Sequence, residues 1–260
     1  MEILPRGRRI STLFLEKVWA RAEKVKTSGE PIFFTAPDWL SKYRADSFYE
    51  KEPETIAFLN TLTKDSIFWD VGANIGIYSI YAGKVLGARV FSFEPSMMNL
   101  EILFRNIQRN NLGDQVTIVP IALSNKNSAL NLFMSRDDLH WAGAHNSIGS
   151  NTSFTGEKMK NFVTQKQISC TGESMIKVFD LTIPTHIKID VDGLEGDVIE
   201  GLGAVIDKIE YFLVEVDDSN KDLDKKIKRL FEAKKFIRLR QAFGELYVGN
   251  QLWKNQKYKR

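Results

Sequence analysis

One short segment, residues 67–76, constrains the fold more than any other part of the chain. It reads Ile-Phe-Trp-Asp-Val-Gly-Ala-Asn-Ile-Gly. An apolar run of this kind is typical of a buried parallel strand, and glycine in the following turn lets the backbone approach a ligand closely because it carries no Cβ. A second apolar run, residues 89–93, follows after a helix-length interval and ends at Glu94. The two runs predict a ligand site at the carboxyl ends of neighbouring strands, where Glu94 is suited to hydrogen-bond a ribose diol.

The spacing of the glycines restricts which nucleoside cofactor this turn accepts. A dinucleotide fingerprint needs G-x-G-x-x-G, but Asn74 and Ile77 occupy its second and third glycine positions. A phosphate loop needs Gly-Lys-Ser/Thr at its end, but Gly76 is followed by Ile77 and Tyr78. Dinucleotides and ATP are therefore disfavoured. The D-x-G-x-N-x-G turn, followed by a strand that ends in Glu, resembles the first two motifs of the S-adenosylmethionine methyltransferases.

The composition is that of a folded protein with one domain or one domain and an extension. Of 260 residues, 43% are hydrophobic and 27% charged, and the net charge is +3. This charge is below the footprint typical of nucleic-acid binding, so a nucleic-acid partner is not indicated. Cys170 is the only cysteine, which excludes an intramolecular disulfide. The sequence shows no signal-peptide pattern and no membrane span, and we expect a cytoplasmic protein.

Strand and helix patterns alternate from residue 66 onward. The predicted strands are residues 67–71, 89–93, 116–121, 186–190, 209–216, 236–240 and 245–249. The predicted helices are residues 75–86, 96–110, 194–202 and 220–234. This alternation predicts an α/β fold, a doubly wound, mostly parallel seven-stranded Rossmann-like sheet with helices on both faces.

Two segments stand outside this alternation. Residues 1–50 are predicted to form an N-terminal extension to a domain of residues 51–260, with an amphipathic helix over Ser11 to Lys26 and an irregular, aromatic-rich stretch over residues 31–50. A polar insertion of about residues 130–170 interrupts the domain. Long loops without periodicity inside a domain are often lids or binding loops. We therefore expect this insertion to lie above the cofactor as a lid or acceptor loop.

A longer set of motifs resembles the FkbM family of methyltransferases over about residues 50–217. In chain order the motifs are Glu52-Pro53-Glu54, Asp70 to Gly76, Phe93-Glu94-Pro95, Arg105-Asn106 through Asn110, Val119 to Leu123, and Lys188-Ile189-Asp190-Val191-Asp192-Gly193. The last motif is the most specific. This chain has Asp192 where the family usually has Glu, and Gly172 to Ile176 replace the Leu-Asp-Asp element that is common before that strand.

The resemblance implies transfer of a methyl group from S-adenosylmethionine, in line, to a hydroxyl of a sugar, glycan or secondary metabolite. It also implies cofactor contacts at the turn and at the strand ends. These expected contact residues are Asp70, Gly72, Ala73, Asn74, Gly76, Glu94, Pro95, Ala122 and Asp190. A hydroxyl must lose its proton during the transfer, so a base is expected nearby. The candidates are Asp190, Asp192 and His145, with His140 as a further one.

Two other functions remain open at the level of sequence. One is a tRNA- or RNA-modifying methyltransferase, because a segment like Asn106 to Asn111 after an acidic strand end also occurs in such enzymes. The other is a cofactor-binding module without catalysis. We expect no resident metal. A site for a divalent ion formed by the carboxylates of Asp190, Asp192 and Glu215 remains an alternative, because such ions bind several carboxylate oxygens. No pattern specifies an oligomeric state.

Overall fold

The computed structural model describes residues 16–136, 140–143, 146–148, 158, 160–217, 220–239 and 249–258. Its strands are β1 (Ala22–Val25), β2 (Ile32–Thr35), β3 (Ile67–Val71), β4 (Arg89–Phe93), β5 (Val116–Val119), β6 (Ala122–Leu123), β7 (Ser128–Ser135), β8 (Asn146–Ile148), β9 (Phe162–Cys170), β10 (His186–Ile189), β11 (Tyr211–Glu215), β12 (Phe236–Arg238) and β13 (Asn250–Asn255). Its helices are α1 (Trp39–Asp46), α2 (Pro53–Leu59), α3 (Ile77–Lys84), α4 (Met97–Arg109), α5 (Gly172–Phe179), α6 (Glu195–Gly201) and α7 (Lys221–Ala233), with a 3-10 helix over Gly203–Lys208.

The main sheet has seven strands in the order β12-β13-β11-β10-β3-β4-β5. Strands β11, β10, β3, β4 and β5 are parallel, and β13 runs antiparallel to both of its neighbours. The predicted doubly wound, mostly parallel seven-stranded sheet is therefore confirmed. From β3 the chain first builds outward to β4 and β5 and later returns to place β10 on the other side of β3. The carboxyl ends of β3 and β10 thus flank a topological switch point, which is where such sheets bind ligands.

The main sheet is buried on both faces, as its apolar strands require. Phe68 and Trp69 are both fully buried, but they belong to different apolar clusters because successive side chains of a strand point to opposite faces. This two-sided burial explains why β3 reads as a continuous apolar run rather than as an alternating pattern.

The helices that cover the sheet are short, and the longer ones are amphipathic. The two longest that we name, α4 and α7, have 13 residues each. In α7, Asn220 caps the N-terminus by accepting a hydrogen bond from the Leu223 N–H at 3.1 Å, and Ile227 and Phe231, one turn apart, are buried. None of the helices in the described ranges is both long and apolar enough to cross a membrane.

The N-terminal extension begins differently from the prediction. Residues 16–20 are helical, but the helix predicted over Ser11 to Lys26 is wrong in its second half, where the chain forms β1. Strand β1 pairs antiparallel with β2, with Val25 opposite Ile32. Cross-strand pairing therefore overrides the helical spacing of the apolar residues. Residues 11–15 lie outside the described ranges.

The stretch of residues 31–50 is regular where an irregular segment was expected. It contains β2 and α1. A capping box starts α1: Asp38 accepts from the Ser41 N–H at 2.9 Å, and the Ser41 hydroxyl accepts from the Asp38 N–H at 3.3 Å. The usual box has Glu or Gln at the position of Ser41, so the sequence gives only a weak signal for this helix.

Two asparagines, Asn106 in α4 and Asn110 at its C-terminal cap, attach the extension to the domain. Asn110 accepts from the Phe33 N–H at 3.0 Å and donates to the Phe33 carbonyl at 2.7 Å. Asn106 accepts from the Thr35 N–H at 2.7 Å and donates to the Ile75 carbonyl at 2.8 Å. Both side chains are buried. Along the edge of β2 they make the hydrogen bonds to the backbone that a neighbouring strand would otherwise make. These two positions of the Asn106 to Asn111 segment therefore have a structural role.

The polar insertion also contains regular structure. Strands β6, β9, β7 and β8 form a second sheet, in which β7 pairs antiparallel with β9 over its full length. The expectation of a long loop without periodicity is wrong for these residues. The pattern is inverted: Gln167 and Ser169 are buried, whereas Ile168 between them is 52% exposed. A strand with a polar inner face lacks the apolar alternation that predicts strands.

Glutamines on the inner face of β9 connect this second sheet to the main one. The Gln165 side chain donates to the Pro95 carbonyl at 3.0 Å, and the Gln167 side chain donates to the Pro120 carbonyl at 2.7 Å. Pro95 follows β4 and Pro120 follows β5. The insertion is thus anchored at the carboxyl ends of the parallel strands.

The last strand lies further along the chain than predicted. A strand was expected at residues 245–249, but β13 begins at Asn250. Residues 245–248 lie outside the described ranges. The other strands of the main sheet begin and end within two residues of their predicted bounds.

Replacing Asn110 with alanine is expected to lower the free energy of unfolding by about 2 kcal/mol, because both backbone groups of Phe33 lose their partner in a partly buried place. Urea denaturation of the purified protein measures this change. Gln108→Ala, an exposed position on the same helix, is the matched control and is expected to change stability by less than about 0.5 kcal/mol. Equal stability of the two variants would contradict the role assigned to Asn110.

Candidate active site

A cavity of about 490 Å³ opens at the carboxyl ends of the parallel strands. Its wall includes Val71 at the end of β3, Phe93 at the end of β4, Ala122 after β5, Asp190 after β10 and Glu215 at the end of β11. All five parallel strands therefore contribute to one cavity. Its volume lies in the range of about 300–1,000 Å³ that is common for small-molecule sites.

The turn after β3 is shaped by backbone packing. Gly72 has φ +83°, and a Cβ there would lie 1.8 Å from the Asp190 carbonyl oxygen. The Gly72 and Ala73 N–H groups each donate to the Phe93 carbonyl at 3.0 Å. Only glycine fits this close approach in this conformation. The turn is therefore fixed against both β4 and β10.

The predicted contact residues of this turn occupy different places. Gly72 and Asn74 line the cavity, and Ala73 lines a smaller adjoining cavity of about 40 Å³. Gly76 caps α3 with φ +80°, and a Cβ there would lie 2.3 Å from a Leu103 methyl carbon. Gly76 thus serves the packing of α3 against α4, and it does not line either cavity.

Glu94 is buried at the rim of the turn and lines the cavity, as does Pro95. One carboxylate oxygen accepts from the Asn74 N–H at 2.8 Å, and the other accepts from the Ser96 N–H at 2.8 Å. Burial raises the pKa of Glu94 to about 7, although these backbone donors oppose the shift. The oxygen bonded to Ser96 also accepts from the Asn99 side-chain amide at 3.4 Å, so the oxygen bonded to Asn74 is the one with a second lone pair for a ligand.

Asp70 lies behind the cavity wall. Its Oδ2 accepts from the Ser79 hydroxyl at 2.6 Å, and its Oδ1 has no hydrogen-bond partner within the described part of the chain. Burial raises the pKa of this carboxyl group, against the effect of Lys188. Asp70 does not border either cavity described above. Its position is that of a support for the turn.

A buried lysine organises the acidic end of the cavity. Lys188 is 2% exposed, and its Nζ lies 2.6 Å from the Oδ2 of Asp190. Burial alone would lower the pKa of Lys188, but the charges of Asp190, Glu52 and Asp70 outweigh burial and raise it. Burial alone would raise the pKa of Asp190, but Lys188 holds it well below its usual range. The two groups therefore form an ion pair across the physiological pH range.

Asp190 has a second carboxyl neighbour. Glu215 at the end of β11 is its neighbour across the paired strands, and the charge of Asp190 together with burial raises the pKa of Glu215 to about 9. Both residues line the cavity. Among the residues that the structure describes, no group of three or more His, Cys, Asp or Glu side chains has an arrangement suited to a metal ion.

The turn after β10 adds two further carboxylates to the cavity wall. Asp192 has φ +54° and lines the cavity. Glu195 accepts from the N–H groups of Val191 and Gly193 at 3.2 and 3.0 Å through its Oε1. Its Oε2 is buried without a partner in the described ranges, and burial raises the pKa of Glu195 to about 7. Glu195 was not among the site residues expected from the sequence, although an acid two residues after a glycine turn is positioned to accept from that turn.

Of the two histidine candidates, the structure describes only His140. His145 lies outside the described ranges, and His140 is exposed and absent from the cavity wall. The neighbouring backbone does reach the site. The Ala142 carbonyl accepts from the Arg44 guanidinium at 2.9 Å, and the Gly143 carbonyl accepts from the Asn74 and Asn99 side chains at 2.9 and 3.2 Å.

Comparison with known proteins agrees with the motifs described above. A family model described as the methyltransferase FkbM domain matches residues 70–246. The hexuronic acid methyltransferase AglP of Haloferax volcanii is 26% identical to this chain over 191 residues, 74% of this chain and 72% of the relative. A putative rRNA methylase from Clostridium thermocellum has a TM-score of 0.49 at 12% identity, covering 80% of this chain and 96% of that chain. M. capricolum TrmK, solved with S-adenosylhomocysteine, has a TM-score of 0.46 at 11% identity, covering 79% and 69% of the two chains.

The raised pKa of Glu195 predicts a pH-dependent effect of Glu195→Gln on stability. Between about pH 4.5 and 7 the folded protein binds a proton at Glu195 that the unfolded chain has already released, so the contribution of Glu195 to stability falls as the pH rises. The glutamine has no such dependence. The stability of the variant relative to the wild type is therefore expected to rise by about 3 kcal/mol between pH 4.5 and 8.

Urea denaturation at a series of pH values tests this expectation. Gln108→Ala, which changes an exposed residue of α4 without removing a titratable group, is the control and should show a difference from the wild type that does not vary with pH in this window. A constant difference for Glu195→Gln would mean that the Glu195 carboxyl group titrates at its ordinary pKa.

Proposed function

The chain belongs to the FkbM methyltransferase family, and on that premise we propose that it transfers the methyl group of S-adenosylmethionine to an oxygen atom of a saccharide, at a free hydroxyl group. The observation that carries the proposal is the single cavity at the switch point of the sheet, which brings Glu94 and the turn after β3 together with the acidic end of β10. The relative AglP, a hexuronic acid methyltransferase, supports a sugar as the acceptor.

The residues of the cavity fit the cofactor. Glu94 offers a buried carboxylate for the ribose hydroxyls, and Pro95 and Ala122 give an apolar border for adenine on the same side. Asn74 and Asp190 line the wall on the side of the amino acid group. When bound, S-adenosylmethionine supplies a methyl group activated by its positively charged sulfur. Of the residues predicted from sequence, Gly72, Asn74, Glu94, Pro95, Ala122 and Asp190 are the ones that we assign to direct contact.

Two cationic side chains line the cavity, and one of them, Lys51, also pairs with Glu52 at 2.8 Å. Arg44 and Lys51 line the same cavity as the cofactor residues. The Arg44 guanidinium uses its Nε for the Ala142 carbonyl, which leaves its terminal nitrogens as donors for a ligand. Arginine and lysine at this place suit a sugar that carries a carboxylate. We therefore assign an acidic saccharide, such as a uronic acid unit, as the preferred acceptor class.

The protein contributes alignment and proton removal to the reaction. Holding the acceptor oxygen in line with the methyl carbon and sulfur is worth up to about 7–11 kcal/mol in well-oriented systems. A carboxylate within reach of the hydroxyl adds roughly 10²- to 10⁴-fold. Of the bases expected from the sequence, Asp190 and Asp192 line the cavity, which supports a role for either of them near the acceptor.

Glu94→Gln is expected to weaken cofactor binding by about 10- to 100-fold, because a hydrogen bond to a charged carboxylate is worth about 1.5–3 kcal/mol. Calorimetric titration with S-adenosylmethionine and with S-adenosylhomocysteine measures the dissociation constants. Glu101→Gln, an exposed carboxylate on α4, should bind both compounds like the wild type. Unchanged binding by Glu94→Gln would remove Glu94 from the cofactor site.

Methyl transfer is tested with radiolabelled S-adenosylmethionine and three acceptors: a uronic acid oligosaccharide, its neutral counterpart and bulk tRNA. Label is expected in the uronic acid oligosaccharide. Resistance of the label to mild alkali distinguishes a hydroxyl ether from a carboxyl ester and thereby tests the site of methylation. Label in tRNA alone would contradict the proposed acceptor class.

A further inference from the structure

Two carboxyl groups lie side by side in the cavity wall. The parallel register pairs Ile189 of β10 with Val214 of β11, so the next residues, Asp190 and Glu215, are neighbours at the strand ends, and both line the cavity. Two adjacent carboxylates repel each other, whereas one shared proton lets one group donate to the other. The negative charge of Asp190 accordingly raises the pKa of Glu215. The pair therefore carries a single negative charge at neutral pH.

The location of the proton follows from the neighbouring lysine. The Lys188 Nζ lies 2.6 Å from the Oδ2 of Asp190 and stabilises the ionised form of that residue. Two carboxyl groups in contact resist double ionisation. The proton therefore resides on Glu215, in agreement with a pKa raised to about 9.

Further acidic groups around the pair oppose a second negative charge. Glu52 is buried near Lys188 and also pairs with Lys51 at 2.8 Å. The two ammonium groups are thus opposed by four carboxyl groups, those of Glu52, Asp70, Asp190 and Glu215. On the other side of β11, Asn250 faces Glu215 in the register and binds Glu54 at 2.6 Å. The titratable and charged groups on the elements around Glu215 are Lys188, Asp190, Lys51, Glu52, Glu54, Asp192, Glu195 and Asp217.

We propose that the Asp190–Glu215 pair keeps one proton in the cofactor-free protein, releases it when the cationic cofactor binds in the cavity, and thereby turns Glu215 into the base that takes the proton of the acceptor hydroxyl. This inference rests on the proposed function. An added positive charge near the pair stabilises its doubly ionised form. The cavity that both carboxyl groups line is the site where that charge arrives.

The methyl transfer and the removal of the hydroxyl proton occur together. Glu215, once ionised, accepts the hydroxyl proton as the acceptor oxygen forms its bond to the methyl carbon. The carbon–sulfur bond breaks, and its electron pair remains on sulfur. Glu215 then returns the proton to solvent. Asp190 stays paired with Lys188 throughout, which makes it a weak base and the residue that positions Glu215.

Proton release on cofactor binding tests the proposal without any turnover. Calorimetric titration of the wild type with S-adenosylmethionine at pH 7.5, in two buffers of different ionisation enthalpy, is expected to show the release of about one proton per site. Glu215→Gln retains a donor to Asp190 but cannot ionise, so at this pH it should bind the cofactor about 10-fold more weakly than the wild type and without this release. No release by the wild type, or an equal release by Glu215→Gln, would overturn the proposal.

Methyl transfer provides the second measurement. Glu215→Gln is expected to reduce the transfer rate by roughly 10²- to 10⁴-fold at saturating cofactor. Glu210→Gln makes the same change in a buried residue just before the start of β11 and should transfer like the wild type. Full activity of Glu215→Gln would overturn the role of Glu215 as base.

The two proposals fail in different ways. If the wild type does not bind S-adenosylmethionine, the proposed function fails and so does this inference. If the wild type binds it and releases a proton but labels no saccharide, the acceptor assignment fails while the charge response of the pair stands. If it labels a saccharide without proton release, the proposed function stands and the role of the pair is overturned.

Discussion

The contact between the turn after β3 and the end of β10 is the one on which the rest of the site depends. Gly72 lies so close to the Asp190 carbonyl that no side chain fits between them, and the Phe93 carbonyl of β4 accepts from the Gly72 and Ala73 N–H groups. Three strand ends are thereby held together by backbone groups alone. The carboxylates of Glu94 and Asp190 take their positions in one cavity from this contact.

The acidic end of the cavity is arranged around one buried positive charge. Removing an ion from water costs several kcal/mol, and Lys188 offsets this cost through its pair with Asp190 and the nearby Glu52. One ammonium group does not neutralise every carboxyl group around it. Glu215 therefore keeps its proton. It belongs to the network of charges around Lys188, and in our proposal it is also the group that releases and takes up a proton.

The parallel strands and the turn after β3 were predictable from residues 67–76 and 89–94 and from the alternation that follows. Apolar runs and turn glycines are patterns of a few consecutive residues, so the sequence shows them directly. The polar insertion was not predictable as a sheet, since β9 buries Gln167 and Ser169 and exposes Ile168. Its inner face satisfies the carbonyl groups of loops after β4 and β5, and only those loops explain a polar inner face. Similarly, the edge of β2 depends on two asparagines more than 70 residues away.

The sequence by itself determined the parallel sheet, the cofactor turn, the acidic strand end at Glu94 and the motif around Asp190, since each is a local pattern of burial or turn geometry. Only the tertiary structure decided which carboxyl groups meet. It placed Asp70 behind the wall and Glu215 beside Asp190. Residues 25 positions apart come into contact because β10 and β11 are paired in register. The protonation of such a group depends on burial and neighbouring charge, and neither is written in the local sequence.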